Sequence, residues 1–222
     1  MNTKKKLITV AIDSTAAAGA GTQSKYIAKH YKLLYLDTGK IYRLIGELRI
    51  KDKKKFSYKL IRKKMQRLNL RNLSRKNLLS DKVAISAAIV AKDKNIRKLV
   101  KKFQINCAYN PPKKYLGSIL DGRDITSIIM KDAMFKFYIT ANLNIRAKRR
   151  FLELKKLKKK ITYKDVLKSL RKRDYLDKNR KHSPLKKTKD SILINTSKLS
   201  KKSCFYKIKK IMDKKINLNG NF

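Results

Sequence analysis

Acidic residues are scarce in this chain: 15 Asp and Glu stand against 61 Lys and Arg, a net charge of +46 over 222 residues. Such a balance first suggests a polyanion such as nucleic acid as partner. The distribution of the charge argues otherwise. Lysines crowd helical and linker stretches, as at Lys155–Lys156 and Lys158–Lys160, without an RNA-binding signature or interleaved aromatics. The chain is also rich in Asn and Ile, so a bias toward A/T-rich codons is the simpler cause, and no specific nucleic-acid partner is expected. Long hydrophobic runs are missing as well. None approaches the roughly 18 residues of a membrane span, so no membrane association is expected. The first apolar run, Leu7–Ile12, is short and ends at Asp13, which reads as a first strand and not as a leader peptide. Two cysteines, Cys107 and Cys204, lie far apart and form no ligand pattern; they read as reduced thiols of a cytoplasmic protein. Glycine (7) and proline (3) are also rare, so the few glycines carry information.

What is present is the composition of a soluble globule, 42% hydrophobic, long enough for one α/β domain with small mobile appendages. Short apolar runs alternate with longer helix-period stretches, the pattern of helices on a parallel sheet. The strand candidates are Leu7–Ile12, Leu33–Leu36, Gly117–Leu120, Phe135–Ile139 and Ser191–Ile194, each of the length that central strands take. Ile41, Leu44, Ile45 and Leu48 form one apolar helical stripe that leaves Arg43 free. A second helical block is expected over 82–103, and a mobile lysine-rich link over 155–162.

Five constellations carry chemistry. The first strand runs into Ser14-Thr15-Ala16-Ala17-Ala18-Gly19-Ala20-Gly21-Thr22, a small-residue loop before a helix. There backbone N–H groups and a helix N-terminus can face phosphate, and the Thr22 hydroxyl suits Mg²⁺. Position 20 is alanine where the usual phosphate loop has lysine, and Ser14 replaces its first glycine; alone, the loop also reads as a plain strand-to-helix turn. The second is Asp37-Thr38-Gly39 at a strand end followed by Arg43, a planar fork for phosphate or an exposed charge. The third is Asp121-Gly122-Arg123-Asp124, again at a strand end. Asp121 is a candidate for a Mg²⁺-bound water, Arg123 for phosphate and Asp124 for hydrogen-bond acceptance, against a salt-bridged structural turn. Arg146, Arg149 and Arg150 crowd one helical face, unfavourable without an anion. Arg173, Asp177 and Arg180 form a second stripe, where lysine would not supply bidentate contacts.

Together these stretches, with "YLDTGKIYR", "VAISAAIVA" and Arg97, "DGRDITSIIMKDA", "RAKRRFLEL", "RKRDYLDKNR" and "INTSKLS", resemble bacterial cytidylate kinases from Leu7 to about Met212. The resemblance implies an α/β nucleoside monophosphate kinase fold with a phosphate-binding loop and a five-stranded parallel sheet of order 2-3-1-4-5 flanked by helices. Core segments at 1–45, 83–140 and 164–222 would carry a monophosphate-binding region (46–82) and a lid (141–163). It implies transfer of the γ-phosphoryl of ATP, with Mg²⁺, to CMP or dCMP by a cytoplasmic monomer. Ser14 to Thr22, with Thr196 and Ser197, would bind ATP. Thr38, Arg43, Ala88, Arg97, Arg123, Asp124, Arg173, Asp177 and Arg180 would bind CMP. Within that set Arg43, Arg123 and Arg180 would grip its phosphate, Arg173 and Asp177 the ribose, and Arg97 and Asp124 the cytosine. Arg146, Arg149, Arg150 and Arg123 would be the catalytic cations, and Thr22 and Asp121 would hold the metal, Asp121 through water. The chain departs from the family at Ala20, at Ala88 (a serine there) and in the 39 residues between Arg43 and Val83, too few for the usual strand-rich insertion. The departures leave open a kinase for UMP or AMP, or a catalytically weakened nucleotide-binding protein. Lys25 or Lys4–Lys6 are candidates to replace the loop charge.

Overall fold

A computed structural model describes residues 7–74, 78, 80–157 and 160–218. Lys4–Lys6 lie outside them, as do Lys158 and Lys159. The five apolar runs all become strands: β1 (Ile8–Ser14), β2 (Leu33–Asp37), β3 (Gly117–Gly122), β4 (Phe135–Thr140) and β5 (Ile192–Asn195). They pair in parallel in the order β2-β3-β1-β4-β5, as expected. Every residue of central β1 is buried, which explains why its sequence is mostly apolar, with Thr9, Asp13 and Ser14 as its buried polar members.

Helices cover both faces. On one face lie α2 (Gly39–Lys51), α3 (Tyr58–Gln66), α4 (Asp81–Val90) and α5 (Lys94–Tyr109). Ile41, Ile45, Ile61 and Val100 pack there with Leu36 and Leu120 of the sheet. Of the expected stripe on α2, Ile41, Leu44 and Ile45 are buried and Leu48 is half-buried. On the other face α1 (Ala20–His30) and α8 (Lys201–Leu218) supply Ile27, Ile208 and Met212 against Val10, Ile12, Ile119 and Phe137. Ile119 and Leu120, adjacent on β3, enter opposite cores because strand side chains alternate. A third cluster joins the loop after β1 to α6 (Leu143–Lys156) and α7 (Tyr163–Asn179) through Ala16, Ala147, Leu154, Val166 and Leu170.

The block over 82–103 divides into α4 and α5. Asp93 is the cause: its Oδ1 accepts from Asn95 N (2.8 Å) and Ile96 N (2.9 Å), capping a new helix. α7 stops at Asn179, so Arg180 is its extended C-cap and not a member of a continuing helical stripe. α2 and α4 meet at Gly46, where a Cβ would lie 2.6 Å from Ala87 N. After β3 the chain makes a π-helical turn, Ile125–Ile129, that the sequence did not announce.

Candidate active site

β1, β2 and β3 end side by side, with Asp13 opposite Gly122 and Asp37 opposite Asp121. This is where an open parallel sheet offers its crevice. The loop from Ser14 to Thr22 leaves β1 here. Ala17 and Gly19 take positive φ (60° and 94°), which bends the chain into α1. The first N–H groups of α1 have no intrahelical partners by geometry, so those of Ala20 and Gly21 open a phosphate-sized cradle, while Thr22 N already donates to Gly19 O at 3.1 Å. Thr15 is buried against Thr140 (Oγ1 to Oγ1, 3.3 Å). Thr196 Oγ1 donates to Ala18 O at 2.9 Å, and Ser197 Oγ accepts from Asn142 N at 2.8 Å, so the loop after β5 holds both the cradle and α6.

Ala20 is buried among the apolar residues of α1 and the sheet. Lys25, considered as its replacement, sits on the exposed outer face of α1, three residues beyond Thr22. Among the described residues, Arg123 and Arg146 reach the loop. Arg123 Nη1 reaches Ser14 Oγ at 3.5 Å. Arg146, buried, donates from Nη1 to Ala16 O (3.0 Å), from Nε to Ala141 O (2.8 Å) and from Nη2 to Asp174 (2.6 Å). Asp174 also accepts from Ala16 N at 3.4 Å, so the pair clamps one loop residue by both its backbone groups. Arg149 donates to Thr196 Oγ1 (3.0 Å) and O (2.7 Å), and Arg150 pairs with exposed Glu153 at 2.9 Å. Arg146, Arg149 and Arg150 thus do not point together: one clamps the loop, one braces the β5 loop, and one lies near the surface.

The monophosphate candidates do converge. Arg97 Nη2 donates to Asp124 Oδ2 at 2.5 Å, and its guanidinium lies 5.6 Å from the Tyr42 ring centroid. Arg180 Nη2 is 3.9 Å from the other oxygen of Asp124 and, buried, has no hydrogen-bond partner among the described residues. An orphaned buried donor of this kind marks a place where an anion fits. Arg123 Nε donates to Asp177 at 2.8 Å, with Arg173 3.9 Å from the same carboxylate. Removal from water and then the charge of Arg123 lower Arg173 to about 10, with Arg43 and Arg150 acting the same way. Arg43 donates to Leu78 O at 2.8 Å, at the entrance to α4. Thr38 Oγ1 donates to Asp121 O at 2.7 Å, so it supports the β3 end. Ala88 is on an exposed face of α4.

Sequence reasoning passed over three contributors, Asp13, Asp174 and Tyr35. Asp13 registered there only as the residue that ends an apolar run. It is wholly buried and accepts from Ile125 N (2.8 Å), Thr126 N (2.9 Å) and Thr126 Oγ1 (2.6 Å), pinning the π-helical turn next to Arg123 and Asp124. Burial pushes its carboxyl up to about 6 against those hydrogen bonds. Asp174 was hidden beside Arg173, a residue on a different face of α7. Tyr35 donates to Asp121 Oδ2 at 3.1 Å, and Asp37 faces Asp121. Burial, then the Asp37 charge, raises Asp121 to about 7. Asp121 Oδ2 lies 3.5 Å from where a Gly21 Cβ would be, beside Thr22 at the start of α1. Two crowded carboxylates beside a phosphate cradle fit a divalent cation that also binds phosphate oxygens. No cluster of three or more His, Cys, Asp or Glu side chains able to hold a metal occurs among the described residues.

Within the described residues, no helix is long and apolar enough to cross a membrane. A sequence model of the family described as cytidylate kinase matches residues 10–214. A cytidylate kinase of Clostridium botulinum (strain Okra, type B1) is 34% identical over 226 residues, covering 95% of this chain and 97% of that one. A cytidylate kinase of Bartonella tribocorum is 38% identical over 207 residues, covering 90% and 92%. Among solved structures, a crystal structure of an uncharacterized protein from Eubacterium ventriosum superposes with a TM-score of 0.57 over 94% of this chain and 99% of that one. Its 18% identity speaks for the fold alone. By the span of the family match and the identity of these relatives, the chain belongs to the cytidylate kinase family, kinases that act on nucleotides.

Proposed function

We propose that this protein transfers the γ-phosphoryl group of ATP to CMP or dCMP, giving CDP or dCDP. The observation that carries the reading is the pair at the end of β3, where Arg97 donates to Asp124 at 2.5 Å. A donor beside an acceptor complements the cytosine edge, whose amine donates while N3 and O2 accept. Uracil sets a carbonyl against the carboxylate and leaves two acceptors facing each other.

In this reading an oxygen of the CMP phosphate attacks the γ-phosphorus. The bond to the β–γ bridging oxygen breaks, and ADP leaves with that electron pair. Phosphoryl transfer asks the protein for alignment and charge neutralisation more than for covalent chemistry. Arg43, Arg123 and Arg180 hold the acceptor phosphate, and Arg173 and Asp177 the ribose. Arg150, paired with an exposed glutamate, has the least to give up in reaching the transferring group. Arg146 serves by clamping the loop. Mg²⁺ is the cofactor we propose, held by Thr22 and, through water, by Asp121, and when bound it supplies positive charge among the phosphates. The segments 46–82 and 141–163 close over the two nucleotides and exclude water.

Turnover measured with ATP, Mg²⁺ and each of CMP, dCMP, UMP and AMP tests the proposal. Preference for CMP or dCMP supports it, and faster turnover of UMP or AMP replaces it with another monophosphate kinase. The buried Ala20 favours one further reading, a weakened nucleotide-binding protein, which predicts CMP binding without turnover.

A further inference from the structure

The outer side of α1 and α8 gathers aromatic rings from the two ends of the chain. Gln23 Nε2 donates to Lys201 O at 3.0 Å and ties the helices together. Tyr26 and His30 stand edge-on to Phe205, with ring centroids 6.0 and 5.6 Å away, and Tyr206 follows at 5.6 Å. Tyr26 is 42% exposed and Tyr206 53%. Tyr26, Lys29, His30 and Phe205 line an open recess of about 420 Å³. Lysines rim the rings: Lys202 Nζ lies 5.9 Å from the Tyr206 centroid. α1 carries Lys25 and Lys29 and no carboxylate, and α8 carries seven lysines. Asp213, the one acidic residue of either helix, is already bonded to Tyr31 and Lys209.

We propose that this face binds single-stranded nucleic acid, its bases stacking on Tyr26, Phe205 and Tyr206 while the lysines hold the phosphates. Rings offer a sequence-tolerant platform and lysines an electrostatic track, the two parts that such recognition needs. Codon bias accounts for lysines but not for four rings converging from opposite ends of the chain. A second copy would bring the same lysines against this face and be repelled. The surface lies across the sheet from α2, α4 and α5, which carry or support the cytosine-reading pair. It shares α1 with the phosphate cradle but lies further along the helix, away from the cytosine-reading pair, so its test is independent of the substrate reading.

Anisotropy of a labelled 12-nucleotide oligouridylate, titrated with the full chain at about 50, 100 and 200 mM salt, reads the binding. We expect affinity to fall steeply with salt. Tyr26→Ala/Tyr206→Ala should weaken it about tenfold or more at fixed salt, with kinase turnover and melting temperature unchanged. Lys53→Ala/Lys54→Ala, on the turn after α2, is the charge control and should bind within about twofold of wild type. Several results would overturn the proposal: ring variants that bind like wild type, a control that loses as much as the ring variants, or duplex RNA or polyglutamate bound as tightly as the single strand.

Discussion

Asp124 shows how much one side chain can decide. It is buried, it accepts from Arg97, and it lies within 3.9 Å of an Arg180 nitrogen. Asp124→Ala should lower kcat/KM for CMP by about 1–3 kcal/mol while changing that for UMP far less. Equal losses for both substrates would make Asp124 a support for the arginines and not a reader of the base. Asp13 acts at one remove, through the turn it pins. Its carboxyl is raised from 3.8 to about 6 by burial, so the folded chain holds that proton more tightly than the unfolded one. Stability from this group is therefore full below pH 4 and is lost as pH rises through 6. Relative to Asp13→Asn, the wild type should gain up to about 3 kcal/mol as pH falls from 7 to 4. Denaturant unfolding of both proteins across that range checks this; a constant difference would mean that Asp13 stays ionised throughout.

Among the elements, the loop before α1 and the contact between α2 and α4 carry the most consequence. Ala20 leaves the cradle with backbone donors but without the lysine charge that the family places there. Ala20→Lys can run its stem along the surrounding apolar side chains and lift its ammonium to the loop mouth. If charge neutralisation limits the chemical step, kcat should rise about tenfold or more. A single-turnover rate that stays flat or falls would show that the arginines already suffice. At Gly46 the two helices touch backbone to backbone, with the nearest α4 atom 2.6 Å from an added Cβ. Gly46→Ala should cost about 1–3 kcal/mol in chemical denaturation. It should also raise KM for CMP, because Arg43 rides on α2 and bonds the entrance to α4.

Over the whole molecule, repulsion among like charges sets the electrostatic balance. A charge of +46 on one small domain works against compactness, and added salt screens it within about 8 Å at physiological strength. The melting temperature should therefore rise by several degrees between about 50 and 500 mM sodium chloride. A fall would mean that specific ion pairs such as Arg123–Asp177 and Arg146–Asp174 outweigh the general repulsion.

Strand positions, the helical stripe on α2 and the arginine-rich segments were legible in the chain itself, whereas the strand order came only from the family resemblance. Apolar periodicity and strand-end motifs are local, and a buried parallel strand is written mostly in apolar residues, as Ile8 and Val10–Ile12 are. What the tertiary structure decided are the long-range partnerships. Asp13 meets Thr126 across 113 positions and Asp174 meets Ala16 across 158, and no local pattern encodes such distances. Arg146 illustrates the difference. Its place on an arginine-rich helix was evident from spacing, but its work was set by packing: once α6 and α7 close on the loop, burial requires its donors to find acceptors, and those within reach are Ala16 O, Ala141 O and Asp174.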